Sequence, residues 1–204
     1  MHYWWVNQNQ TFAQEFNGGY LWSPKRKSNN AINPYYEFMR EVAPGDVIFC
    51  YEGTRIRALG VAQSQCYEVP KPEEFGAAGP NWAHIGWKIE VRYFQLHEQI
   101  RPADSIAILW PLFQEQRYSP LQSSGRGNQA VYLTNVNERA ATALIGLIGF
   151  EARQIVQANA VEDRSFEVDR AAPDMIRWED HIADTINAMT SLSDTGASKQ
   201  DTHS

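Results

Sequence analysis

Apolar and polar positions fall into short blocks along the chain, and each block predicts an element. His2–Val6 (HYWWV) is an aromatic and β-branched run that breaks at Asn7-Gln8-Asn9-Gln10, which predicts a buried strand leaving the core at Asn7. Gly18-Gly19 precedes Tyr20-Leu21-Trp22, and a basic loop, Lys25-Arg26-Lys27, follows. Asn33-Pro34 reads as the N-cap and first residue of a helix whose apolar positions Tyr35, Phe38, Met39 and Val42 share one face. Pro44-Gly45 ends it. Asp46–Tyr51 and Arg55–Gln63 flank Glu52-Gly53-Thr54, a hairpin signal. Trp87–Phe94 alternates, with Trp87, Ile89, Val91 and Tyr93 on one face and Lys88, Glu90 and Arg92 on the other. Residues 67–86 between them read as a loop rich in Pro, Gly and Ala that carries Asn81 and Trp82. Loops that long in a compact domain are functional or disordered.

Ile106–Phe113 is short and apolar, either helix or strand. Ser119–Gln129 is a polar loop containing Arg126, and Ala130–Thr134 is the expected last strand. Asn137 caps a helix with Ala141, Leu144, Ile145 and Ile148 on one face. These elements place one domain at residues 1–150 and a linker at 151–175. An amphipathic helix follows at 176–190 (Trp178, Ile182, Ile186, Met189), then a disordered tail at 191–204. About five or six short strands without regular strand–helix alternation predict an α+β fold, a small curved barrel with helices around it.

Charge divides the chain in the same place. Residues 1–160 hold 14 Lys+Arg and 14 Asp+Glu, whereas residues 161–204 hold 4 and 10, which supplies the whole net charge of −6. A neutral domain is a weak non-specific binder of nucleic acid, since that affinity comes from Lys and Arg displacing counterions. Any nucleic-acid binding must use a local patch and a pocket. No apolar run approaches the ~18 residues of a membrane helix, no signal-peptide pattern opens the chain, and two cysteines make no disulfide scaffold. A cytoplasmic protein is expected.

Several enzyme classes lack their signatures. Gly125-Arg126-Gly127 is too short for a phosphate-binding loop, HExxH and CxxC are missing, and the histidines at 2, 84, 97, 181 and 203 have no ligand spacing. No cofactor or metal is expected. What stands out is aromatic residues beside small polar ones at strand ends: Trp5 with Asn7 and Asn9, Trp22 with Ser23, and Trp82 in its loop. Strand tryptophans are usually core, and Trp4 and Trp87 are read that way. Trp22 and Trp82 have Gly- and Pro-flanked surroundings and could sandwich a planar group, each stacked base contributing ~1–3 kcal/mol. An Asn amide or Ser hydroxyl would read the base edge. Lys25, Arg26 and Lys27, with Arg126 as a second candidate, would meet phosphates.

The stretches YWWVNQNQ (3–10), GGYLWSPKRK (18–27), NPYYEFMREVAPGDVIF (33–49), RIRALGVAQSQCYE (55–68), EFGAAGPNWAHIGWKIEV (74–91) and RYSPLQSSGRGNQAVYLT (117–134) resemble the EVE domain of the PUA-like superfamily. They are most similar to the EVE domain at the N-terminus of bacterial EVE-HNH endonucleases, which cut DNA containing modified cytosine. The resemblance covers roughly residues 1–150. It implies a curved β-barrel that reads a modified base, and the related YTH domains hold a methylated adenine in an aromatic cage. Their Trp-Ser pair is similar to Trp22-Ser23, their second cage tryptophan to Trp82, and their Asn-containing segment to Asn7–Asn9. In EVE-HNH proteins a His-Asn-His nuclease follows a helix like 176–189, whereas Ser191–Ser204 stands here.

The leading expectation is therefore a non-enzymatic reader of 5-methyl- or 5-hydroxymethylcytosine in double-stranded DNA, part of a modification-dependent restriction system, with a separate or fused nuclease as partner. An RNA-binding reader of a modified base is the alternative. An enzyme with an unrecognised site, or an interaction domain whose aromatics are all core, are the remaining readings.

Overall fold

The protein was studied as a computed structural model that describes residues 1–161 except Ser28, Ala77, Pro80 and Asn81. The strands are β1 (Tyr3–Asn7), β2 (Tyr20–Pro24), β3 (Val47–Glu52), β4 (Arg55–Ala62), β5 (Tyr67–Pro70), β6 (Ile85–Ile100) and β7 (Leu133–Val136). The helices are α1 (Phe12–Gly18), α2 (Pro34–Glu37), α3 (Ile106–Phe113) and α4 (Glu138–Ile148). The architecture is mixed α+β, one curled sheet in the order β2-β6-β4-β3-β1-β7, with β5 also on β6. Only β1 and β3 pair in parallel among these strands.

β6 curls the sheet. Its first residues pair with β2 (Tyr20↔Glu90) and β5 (Tyr67↔Lys88), while Val91 onward pairs with β4 (Ala62↔Val91). Register shifts at Cys50/Tyr51 and between Ile56 and Ala58 add local bends. The alternation seen at 87–94 belongs to a strand of 16 residues, twice the expected length.

Both faces of β3 and β4 are covered, so these strands read as nearly continuous apolar runs. On one face Trp5, Phe49 and Leu59 pack under Leu109 and Phe113 of α3 and Leu144 and Ile148 of α4. On the other, Trp4, Val6, Ile48, Ile89 and Val91 enclose Met39 and Val42. The local signals explain the joints. Gly53 and Thr54 both take positive φ (56° and 72°), as a tight hairpin turn requires. The Asn33 and Asn137 side chains cap α2 and α4 by accepting from Tyr35 N and Ala140 N.

Several expectations are corrected. Residues 12–18, for which the sequence pattern predicted no element, form α1. The 67–86 loop contains β5 and a 3-10 turn, Glu73–Phe75. Ile106–Phe113, left open between helix and strand, is helix, with Pro111 inside it. The last strand starts at Leu133 rather than Ala130, because Asn128 and Val131 form a turn (Val131 N to Asn128 O, 3.0 Å). The compact unit runs Met1–Ala160. Residues 150–161 are helical, Ala152 is buried and Asn159 Nδ2 donates to Gly45 O at 2.7 Å, so 151 does not begin a linker. The expected helix at 176–190 and tail at 191–204 lie outside the described residues. No helix among the described residues is long and apolar enough to cross a membrane.

Candidate functional site

The sheet ends at β2 on one side and at β7 on the other. Side chains, not a ladder, bridge this seam at Trp22. Its backbone N–H donates to the Glu15 carboxyl at 2.9 Å, and its C=O accepts from the Tyr132 hydroxyl at 2.9 Å. Above the bridge the chain leaves a cavity of about 360 Å³. Trp22, Tyr36, Trp82 and Tyr132 give it aromatic walls, and Asn7, Asn9, Gln10, Thr11, Asn33 and Gln129 give it polar ones. The volume lies within the range of small-molecule pockets.

Trp22 is fixed firmly. It is buried in β2, meets Phe75 edge-on at 5.6 Å, and its indole lies directly over Gly86, where any Cβ would collide with the ring and with Ser23 O. Trp82 is half-buried and packs over Gly79, whose φ of +55° favours glycine. Lys71 Nζ straps this segment by donating to Ala78 O (2.6 Å) and Gly79 O (3.2 Å). The two indoles touch: centroids 6.0 Å apart, planes at 34°. A planar guest between two parallel faces needs roughly 7 Å, two van der Waals spacings. In this conformation no base fits between them.

Glu15, on α1, lies behind the wall and was not read from the sequence as a site residue. It is fully buried and accepts from Gln8 Nε2 (2.6 Å), Thr11 Oγ1 (3.1 Å), Trp22 N and Tyr132 Oη (3.0 Å). Burial pushes its carboxyl up to about 7 against the pull of these donors. One signal could have found it. Phe12, Glu15 and Phe16 stand at i, i+3 and i+4, so a helix there puts an acid on the apolar face.

The structure brings together Trp22, Trp82, Asn7 and Asn9. Asn7 Nδ2 donates to Asn128 O at 3.4 Å, leaving its buried Oδ1 without a protein partner; Trp22 Nε1 is in the same state. Asn9 Oδ1 is engaged by Gly53 N at 3.1 Å. Ser23 is buried with a partnerless Oγ, but it alternates with Trp22 along β2 and does not line the cavity. Trp5 is a correction. It is packed between Tyr51 and Phe113 in the core beneath α3 and α4, whereas Asn7, two residues on at the end of the strand, lines the cavity. Lys25 pairs with Glu68 and sits 4.2 Å above the Trp87 ring. Arg26 and Lys27 are exposed just beyond Pro24, itself a wall residue, and Arg126 is exposed in the turn closed by Leu121 and Gly127. Asn81 lies outside the described residues. Thr11, Asn33, Tyr36, Gln129 and Tyr132 are wall residues that sequence reasoning missed.

A larger groove, about 520 Å³, lies by the other end of β1. Two of its polar side chains are engaged: Trp4 Nε1 donates to Asp46, and the Asn137 amide serves Ala140 N and Leu112 O. The described residues contain no group of His, Cys, Asp or Glu that could hold a metal ion.

No family model matches the chain, and no curated protein matches it in sequence. Solved structures do. A Pseudomonas putida protein is 12% identical, with 72% of this chain and 99% of that one covered and a TM-score of 0.46. The Pho92 YTH domain, solved in complex with m6A, is 12% identical over 73% and 86%, with a TM-score of 0.47. Human THYN1, solved in complex with 5-methylcytosine containing DNA, is 11% identical over 72% and 98%, with a TM-score of 0.41. YTH domains, one of the families that the motifs resemble, are thus among the structures this chain is similar to.

Proposed function

We propose that this chain is a modified-base reader that takes a flipped modified cytosine of double-stranded DNA into the cavity at the seam. The observation that carries the reading is the wall itself: four aromatic rings around a cavity, with two of its wall residues, Asn7 and Trp22, each holding a buried polar atom (Oδ1 and Nε1) without a protein partner. Buried polar atoms are nearly always paired, so two orphans in one wall ask for an explanation. An amino base offers an N–H to Asn7 Oδ1 and a ring or carbonyl acceptor to Trp22 Nε1. The YTH and THYN1 structures hold methylated nucleic acid, which agrees with this class of ligand.

The closed contact between Trp22 and Trp82 sets the order of events. Trp22 is locked in β2 over Gly86, so Trp82 yields and the base stacks against the face it leaves. Flipping costs a few kcal/mol, which stacking and the two edge bonds offset. Arg26, Lys27 and Arg126 hold the backbone near the opening. The buried methyl contributes only ~0.8 kcal/mol, so preference for the modified base is modest, severalfold to tens-fold. The chain itself carries out no chemistry, and a separate or fused nuclease acts on the site it marks.

Titration at a fixed ~100 mM salt, because salt controls the phosphate contribution, compares duplexes containing cytosine, 5-methylcytosine, 5-hydroxymethylcytosine and N6-methyladenine, with a matched single-stranded RNA. Tighter binding of a modified-cytosine duplex is expected. Equal weak binding to all refutes the reading, and preference for the RNA moves it to the RNA-reader class.

A further inference from the structure

Trp22 turns its backbone N–H and C=O away from β6 and towards the seam, and both are met by side chains. The proton count there does not close with an ionised Glu15. The Tyr132 hydroxyl has one proton and two acceptors within reach, Glu15 Oε1 at 3.0 Å and Trp22 O at 2.9 Å. If Tyr132 donates to the carboxylate, Trp22 O loses that donor. A neutral carboxyl removes the conflict: its own O–H donates to Tyr132 Oη, and Tyr132 donates onward to Trp22 O. Thr11 and Gln8 complete the shell on the other oxygen.

We propose that Glu15 is the positioning residue of this pocket, a proton-dependent clasp that ties Tyr132 to the Trp22 backbone and so sets the wall against which a base stacks. The proposal rests on the base-reading function proposed above. Glu15 touches no ligand; it acts through Trp22, Tyr132 and Thr11, all of which line the cavity. The groups facing it are Gln8, Thr11 and Tyr132 directly. Tyr93 lies behind Gln8 (3.2 Å), Tyr20 lies beyond Tyr93 through its backbone carbonyl, and the buried, neutral Cys50 thiol feels the Glu15 charge. No Lys, Arg or His among the described residues acts on its titration. With no cation to hold the carboxylate, the neutral form is accessible near neutral pH, as its raised titration indicates.

The test has two readouts on the full chain. The first needs no ligand: the 15N–1H resonance of the Trp22 backbone amide, bonded to Glu15, followed from pH 5 to 9. It is expected to titrate with a midpoint near 7 in the wild type and to stay flat in Glu15→Gln. The second is affinity for a 5-methylcytosine duplex at each pH. It is expected to fall on the order of tenfold as pH rises through that midpoint, a typical coupling between sites, and to be pH-independent in Glu15→Gln. Tyr132→Phe is the second variant should Glu15→Gln fail to fold. Its Trp22 amide still titrates while its affinity loses the pH dependence. A wild-type amide that does not move with pH overturns the clasp. An amide that titrates while affinity stays constant overturns its role in the site. An amide that titrates in a protein that binds no modified duplex at any pH supports the clasp and overturns base reading instead.

Discussion

Two buried carboxylates mark the two ends of the structure around β1, and they differ in a way that separates scaffold from site. Asp46, just before β3, accepts from His2 N (2.6 Å), Trp4 Nε1 (2.9 Å) and Ala43 N (3.0 Å). These three donors are N–H groups with one possible direction each and no hydroxyl is among them, while the exposed His2 ring stands 3.4 Å from Oδ1. Glu15 accepts from an amide, a backbone N–H and two hydroxyls, and hydroxyl protons can be redistributed. Asp46 lies where the strands are laddered (Val47 N to His2 O, 3.0 Å), whereas Glu15 lies where the ladder is missing. A fold that stitches its seam with rearrangeable side chains gains a cavity and gives up rigidity there.

The largest effect expected from breaking this contrast is at the scaffold end. Asp46→Ala leaves three donors without their acceptor, at about 1–3 kcal/mol for each that finds no substitute. Urea unfolding should show a loss of roughly 3–5 kcal/mol, with ligand affinity per folded molecule unchanged. At the seam the effect depends on pH. The folded-state pKa of Glu15 is raised from 4.5 to about 7, so the folded protein binds the extra proton between those values. Stability then falls as pH rises through that window. On the order of 3 kcal/mol is lost by pH 8 from a group this buried, and Glu15→Gln should flatten that slope in urea unfolding at pH 5 and 8.

Substitutions of single tryptophans and of a lysine sharpen the ligand side. Trp82→Ala removes a half-buried ring and should weaken modified-duplex binding by ~1–3 kcal/mol, roughly 5- to 150-fold, with little change in unfolding. Trp5→Ala should do the reverse, costing about 3–5 kcal/mol of stability and no affinity beyond the unfolded fraction. Lys27→Ala is the mildest. It should lower affinity alike for modified and unmodified duplexes and reduce the slope of log affinity against log salt by about 1.

The fold was legible where one strong local signal decided the element. The hairpin around Gly53-Thr54, the caps at Asn33 and Asn137 and the alternation at 87–94 each carry such a signal. What failed needed partners far away in sequence. β5 exists because β6 is long enough to pair β2 and β5 along its first half, and Tyr67–Pro70 alone has no strand pattern. The site was legible at Trp22 and Trp82, whose Gly and Pro neighbours set them apart. It was illegible at Trp5, because two adjacent tryptophans on a strand face opposite cores and either could have been the pocket side. The surroundings of Lys25 were illegible for a similar reason, its carboxylate and aromatic partners coming from β5 and β6. Glu15 and Tyr132 meet only through the tertiary fold, 117 residues apart.

The central claim is that the seam cavity is where a modified base enters. It is tested most directly by the indole N–H resonances of the seven tryptophans, recorded as a 5-methylcytosine duplex is added. The account predicts the largest shifts at Trp22 Nε1 and Trp82, with Trp4 and Trp5 unmoved. Shifts centred on Trp4, beside the larger groove, or none at all on a duplex that binds, would contradict it.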